Sequence, residues 1–149
     1  MYAARPYTIH VIPEDRLYAD VAPCRLLAWG IDTVAIAMIT ALLIPLTGFI
    51  ALFFLGGLYL AISFLYRWLG LARASGTFGM RVMGLTLRDA QGGPVDGLTA
   101  FLHTLFYTLS VTFVFPQVIS VALMAFSRQH QGLSDIVLGT RLVNAHAFG

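Results

Sequence analysis

The stretch "RLLAWGID" (residues 25–32) places an arginine and an aspartate at the edge of the longest apolar run in the chain. No charged residue follows in residues 33–66, a run of 34 positions. A single membrane-spanning helix needs about 20 residues, so one upright helix would overshoot a bilayer. Within the run, "IPLTG" (residues 44–48) combines proline and glycine, which end helices. The run therefore predicts a helical hairpin, with helices at about 23–44 and 49–68.

The composition is that of an integral membrane protein. The chain has 149 residues, of which 58% are hydrophobic and 11% charged. A soluble domain carries about a quarter charged residues, so this chain could not cover a water-facing surface. All nine basic residues are arginine, and the net charge of +2 reflects arginines that flank the spans, so no nucleic-acid partner is predicted. The single cysteine, Cys24, excludes an internal disulfide.

The distribution of charge predicts the orientation in the membrane. Four arginines lie in the loop at residues 67–97, whereas the turn at residues 45–48 has no charge. The positive-inside rule then places this loop and the N-terminus in the cytoplasm, and the expected location is the cytoplasmic (inner) membrane of a bacterium. Residues 1–23 hold three prolines without helical periodicity, which predicts an extended arm over residues 1–22. The four loop arginines are Arg67, Arg73, Arg81 and Arg88.

Two short segments have the pattern of β-strands. Leu85 and Leu87 alternate with polar residues before the turn sequence "DAQGGP", as in a short strand that runs into a turn. The segment "TRLVN" (residues 140–144) is a second strand candidate, and residues 145–149 form a tail. We expect the two strands to pair at the cytoplasmic surface of an otherwise all-α membrane protein.

A third apolar segment, residues 97–127, contains no Asp, Glu or Arg over 31 positions. As a helix it would be about 46 Å long, too long for one upright span and too short for two. Pro116 interrupts it, so two arrangements remain open. One is a single tilted, kinked helix that leaves the C-terminus outside. The other is a surface-lying or partly inserted helix that turns near Pro116 and returns, which Arg128 and Arg141, after this segment, favour.

Arg25 and Asp32 are seven residues apart, so a helix places them on one face, about 10 Å apart along its axis. Arg25 is near the helix end and can extend its side chain to the interface, so it could be a simple flanking charge. Asp32 is about two turns inside, where a carboxylate is costly unless it is paired, solvated or protonated. It is therefore either a site residue or a carboxyl that only bridges helices.

Asp135 is the candidate third member of this cluster. It follows the last apolar segment, within a run that is dense in hydrogen-bonding groups, "RQHQGLSDIVLGT" (residues 128–140). The alternative is that Ser134 or Asp135 caps a short helix. Four residues are predicted to support the cluster: Gln131, Ser134, Thr140 and Arg81.

Three segments, in order, resemble motifs of the RDD family of small membrane proteins. They are "RLLAWGID", "GTFGMRVMGLTLRDAQGG" and "HQGLSDIVLGT". The family is named for one arginine and two aspartates, and the resemblance assigns these to Arg25, Asp32 and Asp135. It extends over about residues 19–144, so residues 23–144 are taken as the membrane domain. One arginine that faces two carboxylates leaves a net charge of −1, which could share a proton or attract a cation.

The sequence departs from the family pattern at four positions. Phe78 stands where a proline is usual, Met80 where a lysine is usual, Ser134 where histidine is common and Leu138 where alanine is common. The missing lysine and histidine weaken any mechanism that needs them for proton exchange. The arginine and both aspartates of the signature are retained.

Two functions are compatible with these residues. The chain has little hydrophilic mass, which favours an accessory or assembly subunit of a larger membrane complex. The alternative is an oligomeric cation/proton transporter, since the resemblance links some relatives to cation–proton antiport. The partners would be the lipid bilayer and other membrane subunits or further copies of the chain. No catalytic residues, metal site or cofactor are predicted, because the four histidines are scattered and no phosphate loop or serine–histidine pairing is evident.

Overall fold

A computed structural model describes residues 12–148 of the chain. This part contains seven α-helices and two short β-strands. The first 11 residues of the predicted arm lie outside the described range. The helices are α1 (Glu14–Leu17), α2 (Val21–Leu46), α3 (Leu55–Ala74), α4 (Phe78–Val82), α5 (Gly97–Thr112), α6 (Val114–Phe126) and α7 (Leu133–Leu138), and the strands are β1 (Leu85–Arg88) and β2 (Arg141–Asn144).

The predicted hairpin is formed by α2 and α3. After α2 ends, Gly48 and Phe49 adopt left-handed backbone conformations, with φ of +62° and +66°, and a 3-10 helix leads into α3. By length and composition, the helical stretches Glu14–Leu46 and Ile50–Ala74 are each able to cross a membrane. The expectation of two long apolar helices is therefore confirmed.

The helices extend further than the sequence pattern indicated. α2 begins at Val21, because Pro23 fits in the first helical turn, where its missing N–H costs no hydrogen bond. Before it, α1 adds a helical turn within the arm that was predicted to be extended. α3 continues to Ala74 and ends where Ser75 turns left-handed, with φ of +50°.

The third apolar segment is broken into α5 and α6, whose axes differ in direction by 115°. The break lies at Phe113, three residues before Pro116. Proline cannot donate the hydrogen bond to the carbonyl four residues earlier, and its ring clashes with that carbonyl. The hydrogen-bond ladder of α5 therefore stops at Thr112, and Pro116 lies in the first turn of α6, where proline is tolerated.

The predicted two-stranded sheet is present. β1 and β2 pair antiparallel, with Leu87 opposite Leu142 and Leu85 opposite Asn144. Because β1 precedes α5 and β2 follows α6, the pairing brings both flanks of the broken segment to the same end of the hairpin. The chain thus returns after the bend, as in the second of the two arrangements left open by the sequence.

The hydrophobic core lies at this end of the molecule, between the helix ends and the sheet. Trp68 on α3 packs edge-on against Phe101 on α5, with ring centroids 5.4 Å apart, and its Nε1 donates to the carbonyl of Gly97. This core positions the charged residues of α2, α3 and α7. Its buried members are Val21, Leu71, Leu85, Leu87, Val95, Ala100 and Leu142.

Candidate functional site

The structure divides the three predicted charges between two separate ion pairs. Arg25 Nη2 lies 2.7 Å from Asp135 Oδ2. Asp32 pairs with a different cation, Arg67, whose Nη1 lies 3.7 Å from Asp32 Oδ2. Arg25 and Asp135 are thus brought together as predicted, whereas Asp32 forms its own pair with Arg67 on α3.

Asp32 joins three helices through its two carboxylate oxygens. Tyr66 Oη on α3 and the backbone N–H of Gly79 on α4 each donate to Oδ1 at 2.8 Å. Thr77 Oγ1 donates to Oδ2 at 2.6 Å. The carboxylate is fully buried. Hydrogen bonds from uncharged donors, together with the nearby guanidinium, replace the water that this charge would otherwise require.

The segment that covers Asp32 is shaped by Thr77 and Gly79. Thr77 is the N-cap of α4 and accepts from the backbone N–H of Met80 while it donates to Asp32. Gly79 lies directly against α2, so a Cβ at this position would collide with the carbonyl oxygen of Ala28 and lie 2.8 Å from Asp32 Oδ1. Only glycine lets the α4 backbone approach closely enough to donate its N–H to the carboxylate.

Asp135 is the centre of the second pair and is also fully buried. Besides the ion pair with Arg25, Oδ2 accepts from the backbone N–H of Gly132 at 2.9 Å, at the start of α7. His103 Nε2 on α5 lies 2.6 Å from Oδ1. Asp135 therefore joins α2, α5 and α7, and as the third residue of α7 it also accepts from the N–H of the N-cap, which is Gly132 and neither Ser134 nor Asp135.

The surroundings of Asp135 favour its charged form. Burial alone would raise the pKa of this carboxyl, but the Arg25 guanidinium, the hydrogen bond from His103 and the backbone N–H of Gly132 together lower the pKa well below its usual range. Asp135 is therefore a carboxylate at neutral pH, and it lies between the side chains of Arg25 and His103.

Three of the four predicted supporting residues lie around this pair. Thr140 Oγ1 is 3.4 Å from Asp135 Oδ1, and its carbonyl accepts from Gln131 Nε2 at 2.8 Å. Ser134 Oγ lies 3.5 Å from His103 Nε2. Arg81, by contrast, is exposed on α4, and in residues 12–148 no hydrogen bond or ion pair links it to either aspartate.

The charges of the two pairs balance. The sequence analysis set one arginine against two carboxylates, but Arg67 supplies a second guanidinium. The two arginines and the two aspartates sum to zero instead of −1. Within the described residues, no group of three or more histidine, cysteine, aspartate or glutamate side chains is placed to hold a metal ion.

A cavity of about 390 Å³ lies between the two ion pairs. Its polar wall includes Arg25, Asp32, Arg67 and His103, and its apolar wall includes residues of α2, α3 and α6. Arg67 also lies over the ring of Tyr107, with its Cζ 4.4 Å from the ring centroid, a distance at which a cation is attracted to an aromatic face.

The sequence analysis missed four residues of this arrangement: Tyr66, Arg67, Thr77 and His103. Tyr66 ends the charge-free run, and Arg67, the next residue, was counted among the loop arginines. The sequence carried one signal for the role of Arg67. A buried aspartate requires a cation, and Arg67 is the first cationic residue after the hairpin turn. Thr77 lies in the segment that carried the family resemblance, and His103 was counted only as one of four scattered histidines.

These features define a small, mostly helical protein with membrane-length apolar helices, tied together at one end by buried arginine–aspartate pairs. The model of the RDD family matches residues 20–139, a range that includes Arg25, Asp32 and Asp135. The chain therefore belongs to the RDD family. No curated protein and no solved structure matches it.

Proposed function

We propose that this RDD protein is a multi-pass protein of the bacterial inner membrane that acts as an accessory or assembly subunit of a larger membrane complex. The observation that carries the proposal is that both buried carboxylates are fully engaged in joining helices of this chain. Asp32 connects α2, α3 and α4, and Asp135 connects α2, α5 and α7. The polar residues therefore serve to fix a shape.

The same contacts weigh against the alternative of a cation transporter. A transported cation would need carboxylate oxygens with free lone pairs and a net negative site. Asp32 accepts three hydrogen bonds, and both aspartates face a guanidinium. Binding a cation at either site would displace an arginine from a buried pair, which is costly.

The outer surface of the hairpin supports a packing role. In the helical stretch Ile50–Ala74, only 6% of the most apolar 18-residue segment is buried against other parts of the chain. Most of this surface is therefore available to lipid or to other helices. On α2, a shallow groove surrounds Gly30, and a Cβ at this glycine would meet nothing within 4 Å. Small residues on a membrane helix let a second helix approach closely.

The proposed orientation follows the arginines. The loop between α3 and α5 and the start of α7 lie at the same end as the sheet, and this end carries Arg73, Arg81, Arg88 and Arg141. The turn after α2 carries no charge. The positive-inside rule supports a cytoplasmic position for the arginine-rich end.

The test is purification from its native membrane in a mild detergent, at native expression level, with a matched pair of variants. Gly30→Leu fills the groove on α2 without a clash inside the chain, and Gly57→Leu makes the same change on α3, where a Cβ also meets nothing within 4 Å. Size, subunit stoichiometry and composition of the purified species are measured for each.

We expect a complex of fixed stoichiometry with a different membrane protein, lost in Gly30→Leu and retained in Gly57→Leu. A monomer or homo-oligomer that carries cations across liposome membranes would contradict the proposal and favour transport. A complex that survives both substitutions would leave the subunit role standing but exclude the Gly30 groove as its contact.

A further inference from the structure

Arg67 lines the cavity between the two ion pairs and is a buried cation that makes no hydrogen bond within residues 12–148. The Arg67 side chain is 9% exposed, and its Nε has no hydrogen-bond partner in the described part of the chain. Its Nη1 is 3.7 Å from Asp32 Oδ2, beyond normal hydrogen-bond length. A buried donor without an acceptor is unfavourable, so this guanidinium is a binding group for an acceptor that enters the cavity.

Two further side chains on the cavity wall each have an unused hydrogen-bond donor. Tyr107 Oη accepts from Trp29 Nε1 at 2.9 Å, and its own proton has no recorded acceptor in residues 12–148. The amide of Gln117, on the opposite helix α6, likewise makes no recorded hydrogen bond in that range, and it lines the same cavity. Arg67, Tyr107 and Gln117 thus offer donors from three helices to one space.

The charge balance determines what kind of acceptor fits. Arg25 with Asp135 and Arg67 with Asp32 already cancel, so an anion would bring an uncompensated charge into a low-dielectric site, which is costly. An uncharged oxygen acceptor satisfies the donors without that cost. The two carboxylates would also repel an anion. The site therefore suits a neutral carbonyl oxygen.

The remaining wall determines the rest of the ligand. Leu71, Val121 and Met124 contribute apolar surface to the cavity. Leu26 on α2 and Val121 on α6 line it and are themselves more than half exposed, so the cavity opens between these helices towards the apolar exterior. Its volume of about 390 Å³ lies within the range of small-molecule sites.

We propose that this cavity binds an uncharged, membrane-soluble molecule that carries a carbonyl acceptor, either a quinone or the ester of an acylglycerol. The carbonyl oxygen accepts from the Arg67 guanidinium, which lines the cavity, with Tyr107 and Gln117 as further donors. The apolar tail leaves between α2 and α6. This site is independent of the proposed subunit function and involves no chemical change in the ligand.

The probe is decylubiquinone, a short-tailed benzoquinone, titrated into the full-length protein in detergent. Binding is followed by quenching of Trp29, which lines the cavity, in a Trp68→Phe background. Dioleoylglycerol serves as a competitor with ester carbonyls only, and decanoate as a competitor with a charged head. We expect saturable quenching that dioleoylglycerol reverses and that decanoate does not.

Two variants that spare both ion pairs locate the site. Gln117→Leu removes one donor and should weaken decylubiquinone binding about fivefold, the loss expected for a single hydrogen bond. Val121→Phe fills the cavity and should weaken it more strongly. Val118→Phe is the matched control, because Val118 is exposed on the same helix but does not line the cavity.

Arg67→Lys supplies the decisive comparison, since lysine keeps the positive charge beside Asp32 but replaces the planar guanidinium and its several N–H donors by a single ammonium group. Loss of binding in a variant that retains the parent's circular dichroism spectrum supports the proposal, and dioleoylglycerol competition identifies which carbonyl source the site accepts. Non-saturable quenching, equal effects of Val118→Phe and Val121→Phe, or competition by decanoate alone would overturn it.

Discussion

The two-pair arrangement predicts which charges are energetically coupled. We consider Arg25→Gln, Asp135→Asn and Asp32→Asn, alone and in the combinations that contain Arg25→Gln. Arg25→Gln leaves Asp135 buried without its guanidinium, whereas Asp32 keeps Arg67, Tyr66 and its other partners. A strong coupling is therefore expected between positions 25 and 135, and none between positions 25 and 32.

The magnitude follows from burial and distance. Removing one partner of a buried ion pair costs about 3–5 kcal/mol. Arg25 is 13% exposed and His103 remains beside Asp135, so the lower end, about 3 kcal/mol, is expected for Arg25→Gln. Adding Asp135→Asn removes the stranded charge and should restore about 1–3 kcal/mol, the usual range for residues in direct contact. Asp32 is about 10 Å further along α2, so its effect should add within about 0.5 kcal/mol.

The assay is reversible unfolding in mixed micelles by titration with sodium dodecyl sulfate, with helix content followed by circular dichroism. The free energies of unfolding of the variants give two double-mutant cycles, one for positions 25 and 135 and one for positions 25 and 32. If Arg25→Gln and Asp32→Asn show a coupling equal to or larger than that of Arg25→Gln and Asp135→Asn, Arg25 faces both carboxylates and the assignment of Asp32 to Arg67 is wrong.

Three other predictions test the site and the topology. Gly79→Ala should lower the free energy of unfolding by about 1–3 kcal/mol, as overpacking does, whereas Gly30→Ala, with open space around it, should have little effect in the same titration. Because the pKa of Asp135 is depressed in the folded state, its contribution to stability should be full above about pH 4, the pKa of the unfolded state, and be lost as the pH falls further. The free energy of unfolding should therefore change more between pH 5 and pH 3 for the parent than for Asp135→Asn. Equal changes in the two proteins would contradict the Arg25–Asp135 pair. Cysteines at Thr47 and Ala90 in a cysteine-free background should react with impermeant reagents from opposite sides of the membrane, and labelling from one side would refute the hairpin.

The helical hairpin and the sheet were predictable because each depends on a local pattern. A 34-residue charge-free run with a Pro–Gly break has few alternatives to two antiparallel helices, and the alternation around Leu85 and Leu87 is specific to a strand. The bend in the third segment was predicted near Pro116 and lies at Phe113, three residues before it. Proline disrupts the turn before it rather than its own position, because the lost hydrogen bond and the steric clash both involve the carbonyl four residues earlier.

The pairing of Asp32 could not be derived in the same way, because it depends on how α3 and α4 approach α2. Sequence distance favoured Arg25, seven residues away on the same helix, but side chains on a helix reach only about one turn, three or four residues. Arg67 is 35 positions away and becomes a neighbour only once the hairpin has closed. The glycine at position 79 completes the contact, since it brings a backbone N–H to a carboxylate that its own helix cannot satisfy. In a chain with so few charges, each buried carboxylate thus selects its partner through the tertiary fold. The three signature residues are both members of one ion pair and one member of a second, and they do not form a single triad.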